Sequence, residues 1–264
     1  MTPQMTARHL TFASLVLLVI PRFHPVAAQE RQQTLPLKRF EVVRVDADAI
    51  RRLPPSVRPI FSDPAPDGQL VKSLEEAAKI AGFTPRLLKS PAVDEIVVVN
   101  PSNVEIKIGV GELTTALQSA KAGDVSVPAA WNGVSIALRQ NRGILTGYGA
   151  YFIVQAPTLT INAPAGFAVD QLIEVVFRIA GINAADARKF RQDFVASPSA
   201  YFPIPARYDM DNRHITLAAG SGLLLQNAEK GGEIALMWSD GDRSYFLSGL
   251  LSEAQAIAAA NELH

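Results

Sequence analysis

Residues 233–249 constrain the fold more than any other part of the chain. Ile234, Leu236 and Trp238 alternate with Glu233, Ala235 and Met237, and after Ser239-Asp240-Gly241-Asp242 the apolar run returns as Tyr245-Phe246-Leu247. Period-two alternation marks a half-buried strand, and Asp-Gly is a favoured pair for a tight two-residue turn. The segment therefore reads as a β-hairpin, with Trp238 in phase with Ile234 and Leu236 on the buried face. Trp238 is expected to be a core residue rather than a ligand contact.

Other segments add strands and helices. Val104, Ile106, Ile108 and Val110 alternate with Glu105, Lys107 and Gly109, and Val134, Ile136 and Leu138, then Leu159 and Ile161, repeat the period. Gly222–Gln226 is a further strand. Ser73-Leu74-Glu75-Glu76 is a capping box opening a helix that stops at Gly82. Leu113, Ala116, Leu117 and Ala120 follow helical spacing and are expected to stop near Gly123. Val169, Leu172, Ile173, Val176, Phe177 and Ala180 form a broad apolar helix face ended by Gly181. Asn183 then caps a second helix carrying Ala187, Phe190 and Phe194. Ser252 with Gln255 opens a last short helix. The order predicts an α+β fold, with a mainly antiparallel sheet, a helical hairpin and a short C-terminal helix.

The N-terminus predicts export. Arg8 precedes an apolar run from Leu10 to Ile20, and Val26-Ala27-Ala28 places small residues before Gln29. This is the layout of a secretory signal peptide over residues 1–28, too short to span a bilayer. An extracytoplasmic location, periplasmic or secreted, follows as an expectation, with no transmembrane span after signal removal. Residues 29–67 read as a Pro-rich basic arm and linker. Residues 31–58 hold seven basic and three acidic residues, and Pro54, Pro55, Pro59, Pro64 and Pro66 oppose regular structure. Residues 68–264 read as a single α+β domain.

Two segments carry a resemblance. Residues 73–85, Ser-Leu-Glu-Glu-Ala-Ala-Lys-Ile-Ala-Gly-Phe-Thr-Pro, are one. The other is Leu236-Met237-Trp238-Ser239, Tyr245-Phe246-Leu247-Ser248-Gly249 and Leu251-Ser252-Glu253-Ala254. Together they resemble an uncharacterised bacterial domain family of unknown function, found in extracytoplasmic regions of anti-sigma-factor-like and sporulation-related proteins. The resemblance covers both ends of residues 70–264. Residues 111–205 are longer than the family's core and read as an insertion. The resemblance implies a non-catalytic binding or sensing module linked to envelope or sigma-factor regulation, and it brings no catalytic residues.

Composition narrows the chemistry. The chain has no cysteine, and its 25 basic and 25 acidic residues balance, so the basic excess that drives nucleic-acid binding is missing. Removing residues 1–28 leaves only His214 and His264 as histidines. One internal histidine argues against a Ser-His-Asp site or a multi-histidine metal site. His214 reads as a hydrogen-bonded or solvated strand-end residue. Gly220-Ser221-Gly222 lacks the spacing and helix of a nucleophile elbow. Asp209-Met210-Asp211-Asn212 lacks the glycine and distant glutamate of a calcium loop, and Gly109-Val110-Gly111 is too short to cradle phosphate. No catalytic or metal-binding residue is assigned, no cofactor is expected, and the protein is read as not an enzyme. The expected partner is another protein or an apolar ligand, and nucleic acid is not expected. The tentative ligand surface is Val176, Phe177, Phe190 and Phe194 on the helical hairpin, with core packing as their competing role. A carrier of lipid or another apolar ligand is the alternative to the binding module, and a carboxylate hydrolase would need two acids facing one cleft.

Overall fold

A computed structural model describes residues 32–46, 48, 49, 53–55, 57, 67–208, 210–227 and 232–263. The expected signal peptide and residues 58–66 of the linker lie outside them. The fold is α+β, with five helices and 14 strands among the described residues, in mostly antiparallel sheets.

The strands are β1 (Gln32–Pro36), β2 (Arg39–Val45), β3 (Gly68–Leu70), β4 (Glu95–Val99), β5 (Ser102–Lys107), β6 (Ser135–Gln140) and β7 (Gly143–Gly147). They continue as β8 (Tyr151–Pro157), β9 (Thr160–Pro164), β10 (Ser199–Pro205), β11 (Met210–Leu217), β12 (Gly220–Asn227), β13 (Ile234–Ser239) and β14 (Arg243–Gly249). The helices are α1 (Leu74–Ala81), α2 (Val110–Ser119), α3 (Val169–Ile179), α4 (Ala184–Ala196) and α5 (Glu253–Glu262).

An eight-stranded sheet has the order β11-β12-β13-β14-β8-β7-β4-β3, and a four-stranded sheet the order β1-β9-β6-β5. Three chain segments supply a strand to each. β4 leads into β5, β6 into β7 and β8 into β9, so antiparallel pairing carries on from one sheet into the other. Strand breaks at Asn100-Pro101, Asn141-Arg142 and Thr158-Leu159 mark the crossing. β2 and β10 form a separate two-stranded parallel ribbon.

Both faces of the large sheet are covered. On one, Leu224, Leu236, Trp238, Tyr245 and Leu247 pack against Ala256, Ala259, Ala260 and Leu263 at α5, and α1 brings Ala77 onto Val98 and Ile144. On the other, Leu223, Leu225, Ala235 and Met237 join a larger cluster with β2, the helical hairpin and the small sheet. All of β13 is therefore buried, Ala235 and Met237 as well as the alternating set predicted from sequence.

Two segments take a larger part than their sequence suggested. Within the expected arm, β1 pairs with β9 and β2 with β10, and Leu37, Phe40, Val43 and Val45 are buried in the main cluster. Phe40 is buried on one face of β2 and Val43 and Val45 on the other, while the Arg39 and Arg44 side chains remain exposed. Residues 111–205, expected as an insertion, supply β7 and β8, which join β14 to β4. Without them the large sheet would fall into two pieces, so the segment is integral.

The caps follow the sequence closely. The Ser73 hydroxyl accepts the Glu76 N–H, and Gly82 takes the left-handed C-terminal position at φ 82°. The Glu76 carboxylate accepts from Lys72 N–H instead of closing the box on Ser73. Ser252 and Gln255 form the full box. α2 ends earlier than Gly123 implied, because Lys121 itself adopts φ 55°.

Candidate functional site

The helical hairpin is held together from inside. Asn183 Oδ1 accepts the N–H groups of Ala185 and Asp186 at 3.0 and 2.9 Å, starting α4. Arg191 on α4 donates to Asp170 at 2.7 Å and Glu174 at 3.1 Å on α3. Those two hydrogen bonds raise the affinity of Arg191 for its proton. The two acids are thereby committed to one guanidinium, an ion-pair lock rather than a pair facing a cleft.

The proposed ligand surface lies inside this unit. Val176, Phe177 and Phe194 are buried and Phe190 is half-buried against the same cluster. Phe177 meets Phe190 edge-on at 5.2 Å and Tyr201 of β10 at 5.1 Å, and Phe190 meets Tyr201 at 5.6 Å. Edge-to-face rings at these distances are mutually attractive packing. The Tyr201 hydroxyl donates to the Phe190 carbonyl at 3.0 Å. Burial, then the negative charge of Glu41, pushes this phenol well above its ordinary pKa. The residues singled out on the hairpin thus sit in the core.

A groove lies at the edge of that unit. Gln33 and Leu35 of β1, Phe167, Val169, Asp170, Phe194, Val195 and Pro198 line a cavity of about 180 Å³. Six of these residues are apolar, and Val195 at the rim is 68% exposed. The two polar ones are already engaged: Gln33 Nε2 donates to the Phe167 carbonyl at 2.7 Å, and Asp170 accepts from Arg191. Val169 and Phe194 belong to the main core cluster, and Leu35 and Phe167 pack against it, so core side chains form part of the groove wall. Of the four ligand-surface residues expected from the sequence, Val176, Phe177, Phe190 and Phe194, only Phe194 lines it.

On the opposite side of the large sheet, a polar cluster joins residues 83–86 to the β13–β14 hairpin. The buried side chain of Gln155 accepts from Arg86 N–H at 2.9 Å and donates to the Arg86 carbonyl at 2.6 Å. The Arg86 guanidinium donates to Asp240 at 2.6 Å, Tyr245 at 2.8 Å and the Leu263 carbonyl at 3.2 Å. Arg243 lies over the Phe83 ring, 5.1 Å from its centroid. Burial opposes ionisation of Asp240, but the Arg243 N–H, the Tyr245 hydroxyl, the Asp242 N–H and Arg86 together hold its carboxyl below the ordinary range. Burial first, and hydrogen bonding to Asp240 second, raise the Tyr245 phenol. These groups satisfy one another, and the strap 83–94 is pinned to the sheet as a result.

A third cluster joins residues distant in sequence. His214 Nε2 lies 2.8 Å from Glu41 Oε2, and His214 Nδ1 lies 3.4 Å from Ser221 Oγ. Glu41 Oε1 also accepts from Arg39 at 3.2 Å. Sequence reasoning treated His214 and Ser221 separately and missed their union. β11 and β12 are antiparallel with His214 facing Leu223, so Ser221 is the diagonal neighbour. The available signal was the hairpin spacing of the two residues; Glu41, supplied by a strand 173 positions away, left none.

Among the described residues no group of three or more His, Cys, Asp or Glu side chains is placed to hold a metal ion. Among them, too, no helix is long and apolar enough to cross a membrane. No family model, curated protein or solved structure matches the chain.

Proposed function

We propose that the protein acts by binding, as an extracytoplasmic binding or sensing module. The groove beside β1 carries this reading. A recess walled by six apolar side chains, whose two polar neighbours Gln33 and Asp170 are already hydrogen-bonded, accepts an apolar group. Its volume of about 180 Å³ suits one large side chain or the end of an alkyl chain rather than a whole lipid. Export is supported by the layout of residues 1–28, and a link to envelope or sigma-factor regulation by the resemblance of residues 73–85 and 236–254.

The test uses Val195, which is exposed and can change without disturbing the core. An apolar fluorescent probe, anilinonaphthalene sulfonate, should bind the wild-type protein at one saturable site. Val195→Arg should lose that site and melt unchanged. Equal binding by both proteins would refute the reading.

A second reading, a carrier of lipid or another apolar ligand, is favoured by the core residues Val169 and Phe194 in the groove wall. Opening the hairpin from the small sheet would enlarge the recess. Organic extraction of the exported protein separates the two: co-purifying lipid favours the carrier, and its absence the module.

A further inference from the structure

We infer that Ser221 is a nucleophile that His214 and Glu41 activate to accept an acyl group from an ester. The three residues come from β12, β11 and β2 and line up as hydroxyl, imidazole and carboxylate, with separations of 3.4 and 2.8 Å. A nucleophile within reach of a base that a third group orients is the arrangement that activates serine, and such contacts are commonly longer before substrate binds. The short contact to Glu41 places the imidazole proton on Nε2, leaving the Nδ1 lone pair facing the Ser221 hydroxyl. Arg39 anchors the other oxygen of Glu41 and fixes that carboxylate. Ser221 is exposed, and a side chain added at the preceding Gly220 would meet nothing within 4 Å, so the approach is open on that side.

The chemistry balances without a further reactant. Ser221 Oγ attacks the ester carbonyl carbon while its proton passes to His214 Nδ1, and Glu41 stabilises the resulting imidazolium. The carbon–oxygen bond to the leaving alcohol then breaks, and the Nδ1 proton passes to that alkoxide. The products are an acyl-serine and a free alcohol. One acylation per chain needs no turnover and so goes beyond the binding reading without contradicting it. The cluster shares no residue with the groove, so either proposal can fail alone.

The same geometry would also brace β11 against β2, and reactivity separates the two roles. The full exported chain is treated with p-nitrophenyl acetate and its acetylated peptides are mapped by mass spectrometry, with melting curves for every variant. Acetylation of Ser221 is expected, slowed by about tenfold or more in His214→Ala. Glu41→Gln should also slow it, and Glu41→Asp, which keeps the carboxylate, should recover part of the loss. His214→Asn serves as the second variant if the alanine form does not fold. Acetyl groups confined to lysines, or Ser221 acetylated equally fast without His214, would overturn the inference.

Discussion

Trp238 of β13 and Tyr245 of β14 face each other in register, with ring centroids 4.8 Å apart and planes within 4° of parallel. Both are almost completely buried beneath α5. The stack joins the hairpin to its covering helix, and the Tyr245 hydroxyl extends it into the Arg86–Asp240 cluster. Trp238→Ala removes one ring and leaves a cavity against α5. A loss of about 3–5 kcal/mol is expected from the transfer and cavity terms. Urea unfolding checks it, and a variant with the wild-type midpoint would show that the stack is dispensable.

Gln155 gives a second prediction. It sits on the same row of the sheet, directly opposite Tyr245, and reads both backbone groups of Arg86. Gln155→Leu keeps the volume and strands those two groups. Each unsatisfied buried group costs about 1–3 kcal/mol, so two give about 2–6 kcal/mol at full burial, and the exposure of Arg86 puts the expected loss at the lower end of that range. Hydrogen exchange should show faster opening across residues 83–94 while α3 and α4 keep their protection.

Asp240 makes stability depend on acid. Its folded pKa lies below the ordinary value of 3.8, so the unfolded chain binds a proton more readily there. The contribution is full above the unfolded pKa and disappears as pH falls through the folded one. Melting curves should therefore steepen their decline below about pH 4 in the wild type. Asp240→Asn should lower stability at neutral pH and flatten that acid limb. An unchanged acid limb would remove Asp240 from the explanation.

Lys121 is the non-glycine residue with positive φ, at 55°, among those described. A β-carbon in the left-handed region costs about 1–2 kcal/mol, partly offset by the greater chain entropy that glycine loses on folding. Lys121→Gly should therefore stabilise by about 0.5–1 kcal/mol, read as a rise in Tm. A fall would mean that the Lys121 side chain contributes more than its backbone costs.

Much of the local structure was legible in the sequence because its causes are local. Asn183, Gly181 and the apolar face of residues 169–180 lie within about four turns of one stretch of chain and define the hairpin without help from elsewhere. The strand periods at Val104–Ile106 and Ile234–Trp238 were equally clear. Pairing partners were hidden. Phe40 sits among charges and near prolines, and nothing around it shows that Ala200 will lie beside it. Lys121 displaced Gly123 as the end of α2 because the hydrogen bond from Ala122 N–H back to the Leu117 carbonyl closes the helix first. The functional candidates were hidden for the same reason: Val195 and Leu35 meet at the groove, and Glu41 and His214 at the cluster, only once remote strands have paired.

The parallel ribbon of β2 and β10 also governs when the chain can finish folding. β2 leaves the ribosome early, but its partner begins at Ser199, and β1 must wait for Thr160–Pro164. At about 5–20 residues per second, synthesis leaves the first strands without partners for roughly six to thirty seconds. Such non-local pairing also slows folding intrinsically. A chain arranged in this way leaves Phe40, Val43 and Val45 uncovered until its later strands arrive.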